Sequence, residues 1–368
     1  MKEPALRVPR PSSARPSARG LEAPHRRLEQ GPRILEKLGF RLYLVAAWIL
    51  GRVPQSLAAA VVGGLFQLSY RLWPGKRQSS NENFAHVLGL PPSHPRVRRL
   101  ALAAYREYGR YIAELMRLPQ LPREQVGRLV ADHELDGIEP IWRESRGGLI
   151  FAVGHVGNNE AVAAGVAKRG WPMNVVADDS TMPEMFELLR RQRESWGVHV
   201  IAWRNLREIY TVLRRKEMLA LLVDWGYRPD GIPVRLFGEW TTLPAGPAAL
   251  AAKTGSRILP IAVRRRDDGT FRVTWSAPIE VHSSSPAEQV RATQAMADAL
   301  EQSIAASPDQ WYSFKPIWPS SAAESAELER RALAALAGEG PATLTAAADG
   351  ASASQEPGPR RRVEAEVS

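Results

Sequence analysis

The residues GLIFAVGHVGNNE, numbered 148–160, join an apolar run to a histidine and a carboxylate. His155 follows the run after Gly154, and Glu160 lies five residues further along the chain. An imidazole in this setting can take a proton from an attacking hydroxyl group, while a nearby carboxylate holds one tautomer and stabilises the imidazolium. The pair is therefore a candidate general base with its acidic partner.

Spacing alone does not establish this chemistry. With seven histidines and 39 acidic residues, about one such pair is expected by chance, and a strand-end histidine satisfied by backbone groups is the simpler interpretation. The context favours a site, because functional residues gather past the carboxyl ends of buried strands. Gly154 and Gly157 allow a substrate to approach closely. Asn158 or Asn159 can cap the next helix, which places Glu160 in its first turn.

A second polar region follows the apolar run LALLV, where Asp224 stands at another predicted strand end. We expect the residues after it to form a polar loop with glycine and proline turns, including Gly238 and Glu239, before a helix begins at about Pro247. The free amides of that helix could hold an anion. The alternative is a tight turn with proline at the first helical position.

The segment FELLRRQRESWG offers three further cations, Arg190, Arg191 and Arg193. On a helix most of them should be solvated. One of them can still turn inward to a phosphate or a carboxylate.

The elements that must position these residues alternate along the chain. Helical stretches separate five apolar runs, GGLIFAVG, MNVVA, HVIAW, MLALLVD and RILPIAVRR, and TFRVTW could add an edge strand. Strands that alternate with helices predict an α/β fold, with a mainly parallel central sheet flanked by helices.

Composition divides the chain into four parts. Residues 1–33 read as a disordered basic arm, 34–77 as a membrane-associating helical hairpin, 78–318 as the α/β domain, and 319–368 as a mostly disordered tail with one short helix. The two apolar stretches of the hairpin are shorter than the roughly 20 residues that span a bilayer. Aromatic residues such as Trp48 and Trp73, with basic flanks, favour contact with a membrane surface. The alternatives are packing on the domain core and a single tilted span.

The net charge of +10 favours anionic partners such as lipid surfaces, phosphorylated substrates or nucleic acid. The lack of cysteine excludes disulfides, thiolate catalysis and zinc–cysteine sites. A nucleic-acid-binding protein is an alternative from another class. It is disfavoured because the core has no recognisable module and no aromatic-plus-basic reading surface.

Five segments occur in the order seen in a known family. They are GLIFAVGHVGNNE, RRQRESWG, LLVDWGYRPDGIPVRLFGE, LPAGPAALAAKTGSRILPI and PDQWYSFKPIW. From about Leu35 to Trp318 the chain resembles bacterial lipid A late acyltransferases (lauroyl or myristoyl transferases). It also resembles the related phosphatidylinositol mannoside acyltransferases of the lysophospholipid acyltransferase superfamily.

This resemblance implies a glycerolipid acyltransferase-like α/β enzyme on the cytoplasmic face of the inner membrane. His155 matches the catalytic histidine of an H-x4-E motif and Glu160 its acidic partner. Arg193 matches a recurrent arginine near the site, and Asp224, Gly238 and Glu239 fall at positions expected to bind substrate. Asn159 departs from the family, where an aromatic residue is common at this position.

The expected reaction transfers a fatty acyl chain from acyl-CoA or acyl carrier protein to a hydroxyl of a membrane glycolipid, such as a phosphatidylinositol mannoside. We expect no metal and no cofactor, an anionic membrane surface as partner, and no nucleic acid. A Kdo-lipid-type late acyltransferase and a general lysophospholipid acyltransferase are the alternatives within the superfamily. A catalytically idle membrane scaffold is a further alternative.

Overall fold

The structure is a computed structural model that describes residues 33–179 and 183–340. The predicted basic arm, apart from Arg33, and the last part of the predicted tail lie outside the described residues. Within these ranges six α-helices precede the first strand: α1 (Arg33–Leu50), α2 (Gln55–Leu72), α3 (Pro74–Leu88), α4 (Pro95–Arg117), α5 (Arg123–Arg128) and α6 (Ile138–Glu144).

Strands and helices then alternate. The strands are β1 (Leu149–Val153), β2 (Met173–Ala177), β3 (Val198–Ala202), β4 (Met218–Leu222), β5 (Ile232–Leu236), β6 (Glu239–Leu243), β7 (Arg257–Arg265) and β8 (Phe271–Trp275). The helices among and after them are α7 (Asn159–Lys168), α8 (Pro183–Ser195), α9 (Leu206–Arg214), α10 (Gly246–Thr254), α11 (Pro286–Ala306) and α12 (Ala322–Ala337).

The central sheet has six strands in the order β3-β2-β4-β1-β7-β8, and only the edge strand β8 runs antiparallel. The predicted α/β class with a mainly parallel sheet is therefore confirmed, as is each of the six predicted strands. β1 and β4 are neighbours, and Val153 pairs with Leu222 at their carboxyl ends. Residues that follow these two strands consequently emerge side by side at one edge of the sheet.

The polar loop expected after Asp224 is a β-hairpin instead. β5 and β6 pair antiparallel around a two-residue turn in which Phe237 has φ 51° and Gly238 φ 81°. This backbone conformation suits the right-handed twist of a hairpin. Ile232, Val234 and Leu236 alternate along β5 and are fully buried. The nearby glycine and proline residues, which are typical of turns, made this alternation hard to recognise in the sequence. The hairpin packs on α11 and α12.

The short helix predicted within the tail is present as α12. Ser321 caps it by accepting a hydrogen bond from the amide of Glu324. Leu328, Ala332 and Ala335 are buried where α12 packs against α11 and β5. The packed part of the chain therefore extends past the boundary expected at residue 318.

The N-terminal hairpin packs on α4 through one face. A Cβ on Gly109 would lie 2.7 Å from the backbone of Gly63, so these glycines let α2 and α4 cross closely. The guanidinium of Arg117 donates to the backbone oxygens of Leu50 and Val53, at the turn between α1 and α2. Packing on the core, one of the alternatives considered above, thus describes this face.

The opposite face of the hairpin is apolar and exposed. Its large side chains are each 47–69% exposed and are Leu38, Leu42, Val45, Trp48, Ile49, Leu57, Val61, Leu65, Leu68 and Leu72. We call these residues the exposed hairpin face. Within the two described ranges, no helix combines the length and the apolarity needed to cross a membrane.

A buried ion pair joins α4 to β7. The side chain of Arg265 is 1% exposed and that of Glu114 6%, and two hydrogen bonds of 2.8 and 2.9 Å connect them. Arg265 also donates to Glu107 at 2.8 Å. Because each buried charge is paired and hydrogen-bonded, loss of one partner would leave the other uncompensated.

We expect Arg265→Met to lower the free energy of unfolding by about 3–5 kcal/mol, since the carboxylate of Glu114 would stay buried without its counter-ion. Urea denaturation measures this change. The matched control is Arg264→Met, at the neighbouring exposed position of the same strand, for which we expect a change within about 0.5 kcal/mol. Equal losses in the two variants would contradict the role assigned to the buried pair.

Candidate active site

His155 and Asp224 meet at the carboxyl edge of the sheet. Each lies two residues beyond the paired positions Val153 and Leu222. The ring nitrogen Nδ1 of His155 is 2.6 Å from Oδ1 of Asp224. The neighbouring positions of β1 and β4 thus bring together an imidazole and a carboxylate that are 69 residues apart in sequence.

Asp224 is almost fully buried, with 3% of its surface exposed. Besides the His155 ring, its carboxylate accepts hydrogen bonds from the His155 amide at 2.9 Å and from Nε1 of Trp311 at 2.9 Å. Three donor groups therefore compensate for the loss of water around this charge. Trp311 lies in the segment PDQWYSFKPIW, which had no assigned role in the sequence.

Each partner of the pair changes the pKa of the other. Burial lowers the pKa of His155, but the charge of Asp224 and its hydrogen bond outweigh this effect, so that the pKa of His155 is above its usual value. Burial raises the pKa of Asp224, and the imidazolium charge and the hydrogen bonds more than reverse it. The protonated imidazole and the carboxylate consequently stabilise each other.

The geometry leaves Nε2 of His155 as the reactive nitrogen. A bond from Nδ1–H to the carboxylate keeps the proton on Nδ1 and the lone pair on Nε2. The His155 side chain is 26% exposed, and its ring centroid lies 5.5 Å from that of Trp225, an exposed residue just beyond β4. The imidazole is therefore both oriented and accessible, as general-base catalysis requires.

Backbone contacts hold the loop that carries His155. The carbonyl oxygen of His155 accepts from the amide of Tyr312 at 2.8 Å, and the amide of Gly157 donates to the carbonyl oxygen of Gln310 at 3.1 Å. Gly157 has φ +67°, and a Cβ there would lie 2.5 Å from the carbonyl oxygen of Val263. This position needs glycine for its conformation as well as for space.

Asn158 ends the loop and starts α7. Its side chain accepts from the amide of Ala161 and donates to the buried Glu114 at 3.0 Å, so the loop is tied to the ion pair described above. Asn159 donates to the carbonyl oxygen of Gly154 at 2.9 Å. The asparagine that departs from the family pattern therefore closes the loop by a hydrogen bond.

Glu160 lies in the first turn of α7, as predicted, but its carboxylate binds Arg193 and not His155. The two hydrogen bonds measure 2.9 and 2.6 Å, and the side chains are 14% and 17% exposed. The expected contact with the imidazole belongs to Asp224 instead, because β4 delivers that residue directly beside His155. Arg190 and Arg191 form ion pairs on the surface of α8.

The charge of Glu160 also acts on two tyrosines of the N-terminal helices. Burial and then the charge of Glu160 raise the pKa of Tyr43 on α1 and of Tyr111 on α4. The side chains of Tyr43 and Tyr111 therefore lie within the electrostatic range of Glu160.

An apolar cavity lies between α7 and the sheet. Glu160 and Arg193 line part of it, and the rest of the lining is mainly aliphatic: Phe151, Val153, Val162, Val166, Val175 and Leu221 are among these residues. One lining residue, Val153, stands two positions before His155 in the chain. The lining of the cavity suits an alkyl chain better than a polar group.

These features agree with two comparisons with known proteins. A model of the bacterial lipid A biosynthesis acyltransferase family matches residues 29–320. The chain belongs to this family. It is a lipid acyltransferase, and the resemblance found in the sequence is confirmed.

Relatives named phosphatidylinositol mannoside acyltransferase are similar to this acyltransferase over most of their length. The protein from Mycobacterium tuberculosis (strain H37Rv) is 28% identical over 265 residues, which cover 70% of this chain and 82% of the relative. The protein from Mycolicibacterium smegmatis is 28% identical over 282 residues, covering 74% and 89%.

Gly238 and Glu239, which were expected to bind substrate, belong to the β5–β6 hairpin of this acyltransferase. The pair of His155 and Asp224, which we call the dyad, lies at the carboxyl edge of the central sheet. Gly238 belongs to the turn between β5 and β6, and Glu239 is the first residue of β6. Both are exposed, and the charge of Glu239 acts on His86 of α3. In the described residues no hydrogen bond or ion pair joins Glu239 to His155 or Asp224. A role of this turn in substrate binding stays a prediction.

No set of protein ligands for a metal accompanies the dyad in residues 33–179 and 183–340. No cluster of three or more histidine, aspartate or glutamate side chains occurs there in a suitable arrangement. Asp224 and Glu160 are engaged by His155, Trp311 and Arg193. The expectation of a reaction without metal or cofactor stays a prediction.

We expect substitutions of Asp224 and of Glu160 to have different effects on the pKa of His155. Asp224→Asn removes the charge that raises the pKa of His155 while burial persists, so we expect that pKa to fall. Glu160→Gln should leave the His155 pKa unchanged and instead lower the free energy of unfolding by about 1–3 kcal/mol, because Arg193 loses its charged partner. NMR of the imidazole across pH, with urea denaturation, measures both effects. A drop in the His155 pKa in Glu160→Gln as large as in Asp224→Asn would identify Glu160 as the functional partner.

Proposed function

We propose that this acyltransferase moves a fatty acyl chain from an acyl thioester to a hydroxyl of a membrane glycolipid, such as a phosphatidylinositol mannoside. The observation that carries the proposal is the hydrogen bond between His155 Nδ1 and Asp224, which leaves Nε2 as an accessible base. Membership of the lipid acyltransferase family supplies the reaction class. The names of the relatives favour the mannoside-lipid acceptor.

The reaction would proceed by direct transfer. Nε2 of His155 removes the acceptor's hydroxyl proton as the oxygen attacks the thioester carbonyl, and the carboxylate of Asp224 stabilises the imidazolium. The tetrahedral intermediate then collapses, the carbon–sulfur bond breaks, and the imidazolium returns the proton to the thiolate. The products are an ester and a free thiol, and the enzyme ends as it began.

The negative oxygen of the intermediate needs donors within the site. Glu160 fixes the guanidinium of Arg193 through two hydrogen bonds, and we propose that Arg193 or backbone amides of the His155 loop supply these donors. Part of the alkyl chain of the thioester would enter the apolar cavity beside Arg193, between α7 and the sheet, whose volume of about 90 Å³ has room for only a few methylene groups. Glu160 would then act by holding Arg193 in place.

The same proposal places the protein at the cytoplasmic face of the inner membrane, with acyl-CoA or acyl carrier protein as donor. The exposed hairpin face would enter the boundary of the lipid layer, as amphipathic surface helices do. The charge of +10 would attract both an anionic membrane and an acidic donor. Acceptors of the lipid A type, or simple lysophospholipids, would use the same dyad and are the alternatives.

The first test concerns the base. We expect His155→Ala to lower kcat for acyl transfer from palmitoyl-CoA to extracted membrane lipids by about 10²–10⁴-fold, because the hydroxyl loses its proton acceptor. Scintillation counting of radiolabelled product measures the rate, and mass spectrometry identifies the lipid that gains a chain. His199→Ala is the control, since His199 is an exposed residue of β3 that bonds to Glu208. A folded His155→Ala protein with wild-type activity would refute the assignment.

The second test concerns the membrane. We expect the double variant Leu42→Ser with Leu65→Ser, on the exposed hairpin face, to bind anionic vesicles about thirty-fold more weakly, because each half-exposed leucine loses roughly 1 kcal/mol of transfer free energy. Vesicle flotation measures the bound fraction. The control is Leu333→Ser with Leu336→Ser, which alters leucines of α12 that are 60% and 54% exposed. Equal loss in both variants, or no loss in either, would contradict the assigned face.

A further inference from the structure

The segment that supplies Trp311 also carries a lysine at the mouth of the site. Asn83 of α3, which is 1% exposed, donates to the carbonyl oxygens of Ser313 at 3.1 Å and Lys315 at 2.8 Å and accepts from the amide of Ile317. The carbonyl oxygen of Pro316 accepts from a backbone amide of the loop after β4. The backbone of Lys315 is therefore held on both sides.

The ammonium group of Lys315 lies close to the reactive histidine. Its Nζ atom is 4.0 Å from the ring centroid of Trp225, and that ring lies 5.5 Å from the ring of His155. The positive charge of Lys315 opposes protonation of His155. A cation in this position disfavours the imidazolium that the mechanism forms. Lys315 must therefore serve a purpose other than support of the catalytic base.

A second lysine adds to the charge. Burial, and then the like charge of Lys76 in α3, lower the pKa of Lys315, and a smaller attraction to Asp178 opposes this. Among the described residues no carboxylate lies within 4 Å of Nζ of either Lys315 or Lys76. An anion bound to Lys315 would offset this repulsion.

The surroundings of Lys76 indicate where such an anion would come from. Leu72, at the end of the exposed hairpin face, and the adjacent Trp73 are 69% and 66% exposed, and Lys76 follows Trp73 after two residues. Exposed apolar and aromatic side chains followed by cations are typical of the level of lipid headgroups. Lys76 thus follows a lipid-compatible surface in the chain, and its charge acts on Lys315.

We propose that Lys315 binds a phosphate group of a substrate and thereby holds that substrate beside His155. The inference rests on the proposed function for the identity of the substrate. A phospholipid acceptor carries a phosphodiester, and the pantetheine arm of the donor carries a phosphodiester in acyl carrier protein or a diphosphate in acyl-CoA. Both sources present anionic phosphate oxygens to Lys315.

Kinetics distinguish the two sources. We expect Lys315→Ala to raise the KM of one substrate about ten-fold, with kcat within about three-fold of wild type, and Lys315→Arg to restore that KM. A rise for the lipid acceptor identifies a headgroup phosphate, and a rise for acyl-CoA identifies the donor phosphate. The control is Lys253→Ala, an exposed lysine in the last turn of α10. Unchanged KM values, or a fall in kcat alone, would overturn the proposal.

Equilibrium binding separates failure of this site from failure of the proposed function. Isothermal titration with coenzyme A, and separately with dihexanoyl phosphatidylinositol, needs no turnover. We expect at least one probe to bind wild-type protein and to bind Lys315→Ala about ten-fold more weakly, with Lys253→Ala unaffected. Lys315-dependent binding without acyl transfer would retain the site and reject the reaction. Binding that is absent, or equal in all three proteins, would reject the site.

Discussion

The buried carboxylate of Asp224 constrains the centre of the molecule, because an ion removed from water must have its hydrogen bonds supplied by protein groups. These groups come from two distant parts of the chain: the amide and the ring of His155 after β1, and the indole of Trp311 after α11. The order of strands and the path of the C-terminal segment must both be correct for this charge to be tolerated. The burial of this one carboxylate therefore makes the orientation of the His155 imidazole depend on the strand order and on the docking of the C-terminal segment.

Two arginine–carboxylate pairs flank the same loop at different depths. Glu114 and Arg265 are buried beneath it and reach it through Asn158. Glu160 and Arg193 are partly exposed and lie beside the apolar cavity. The deep pair lacks access to substrate and so acts on the position of the loop, whereas the shallow pair leaves a fixed guanidinium within reach of the cavity.

The sequence predicted the members of the site better than their contacts. His155 and Asp224 were both recognised as polar residues after apolar strands, since that pattern is local. Their pairing depends on β1 and β4 being neighbours in register, which no local pattern encodes. Glu160 was predicted as the partner because it is near in sequence and matches the H-x4-E motif of the family. Arg265 did carry a signal, because it continues the alternation of the buried Ile261 and Val263 along β7.

The hairpin of β5 and β6 was missed for a related reason. Gly238 and the prolines around it are typical of turns, and they concealed two strands of five residues each. The alternation of apolar residues along β5 was present in the sequence. In a strand of only five residues, however, this signal is weaker than that of the nearby residues typical of turns. The helices were easier to predict, since their apolar positions recur over several turns.

The contacts of Asn83 with residues 313–317 have a consequence for how the protein forms during synthesis. They close a loop of 230 residues, and the bond from Trp311 to Asp224 closes another of 87. Contacts across such separations form late, because chain entropy must be lost before they stabilise anything. A nascent chain that has already folded its first strands would still lack the indole that completes the dyad. The enzyme should therefore emerge from the ribosome inactive, and gain its reactive base only when residues 311–317 have been translated and have docked.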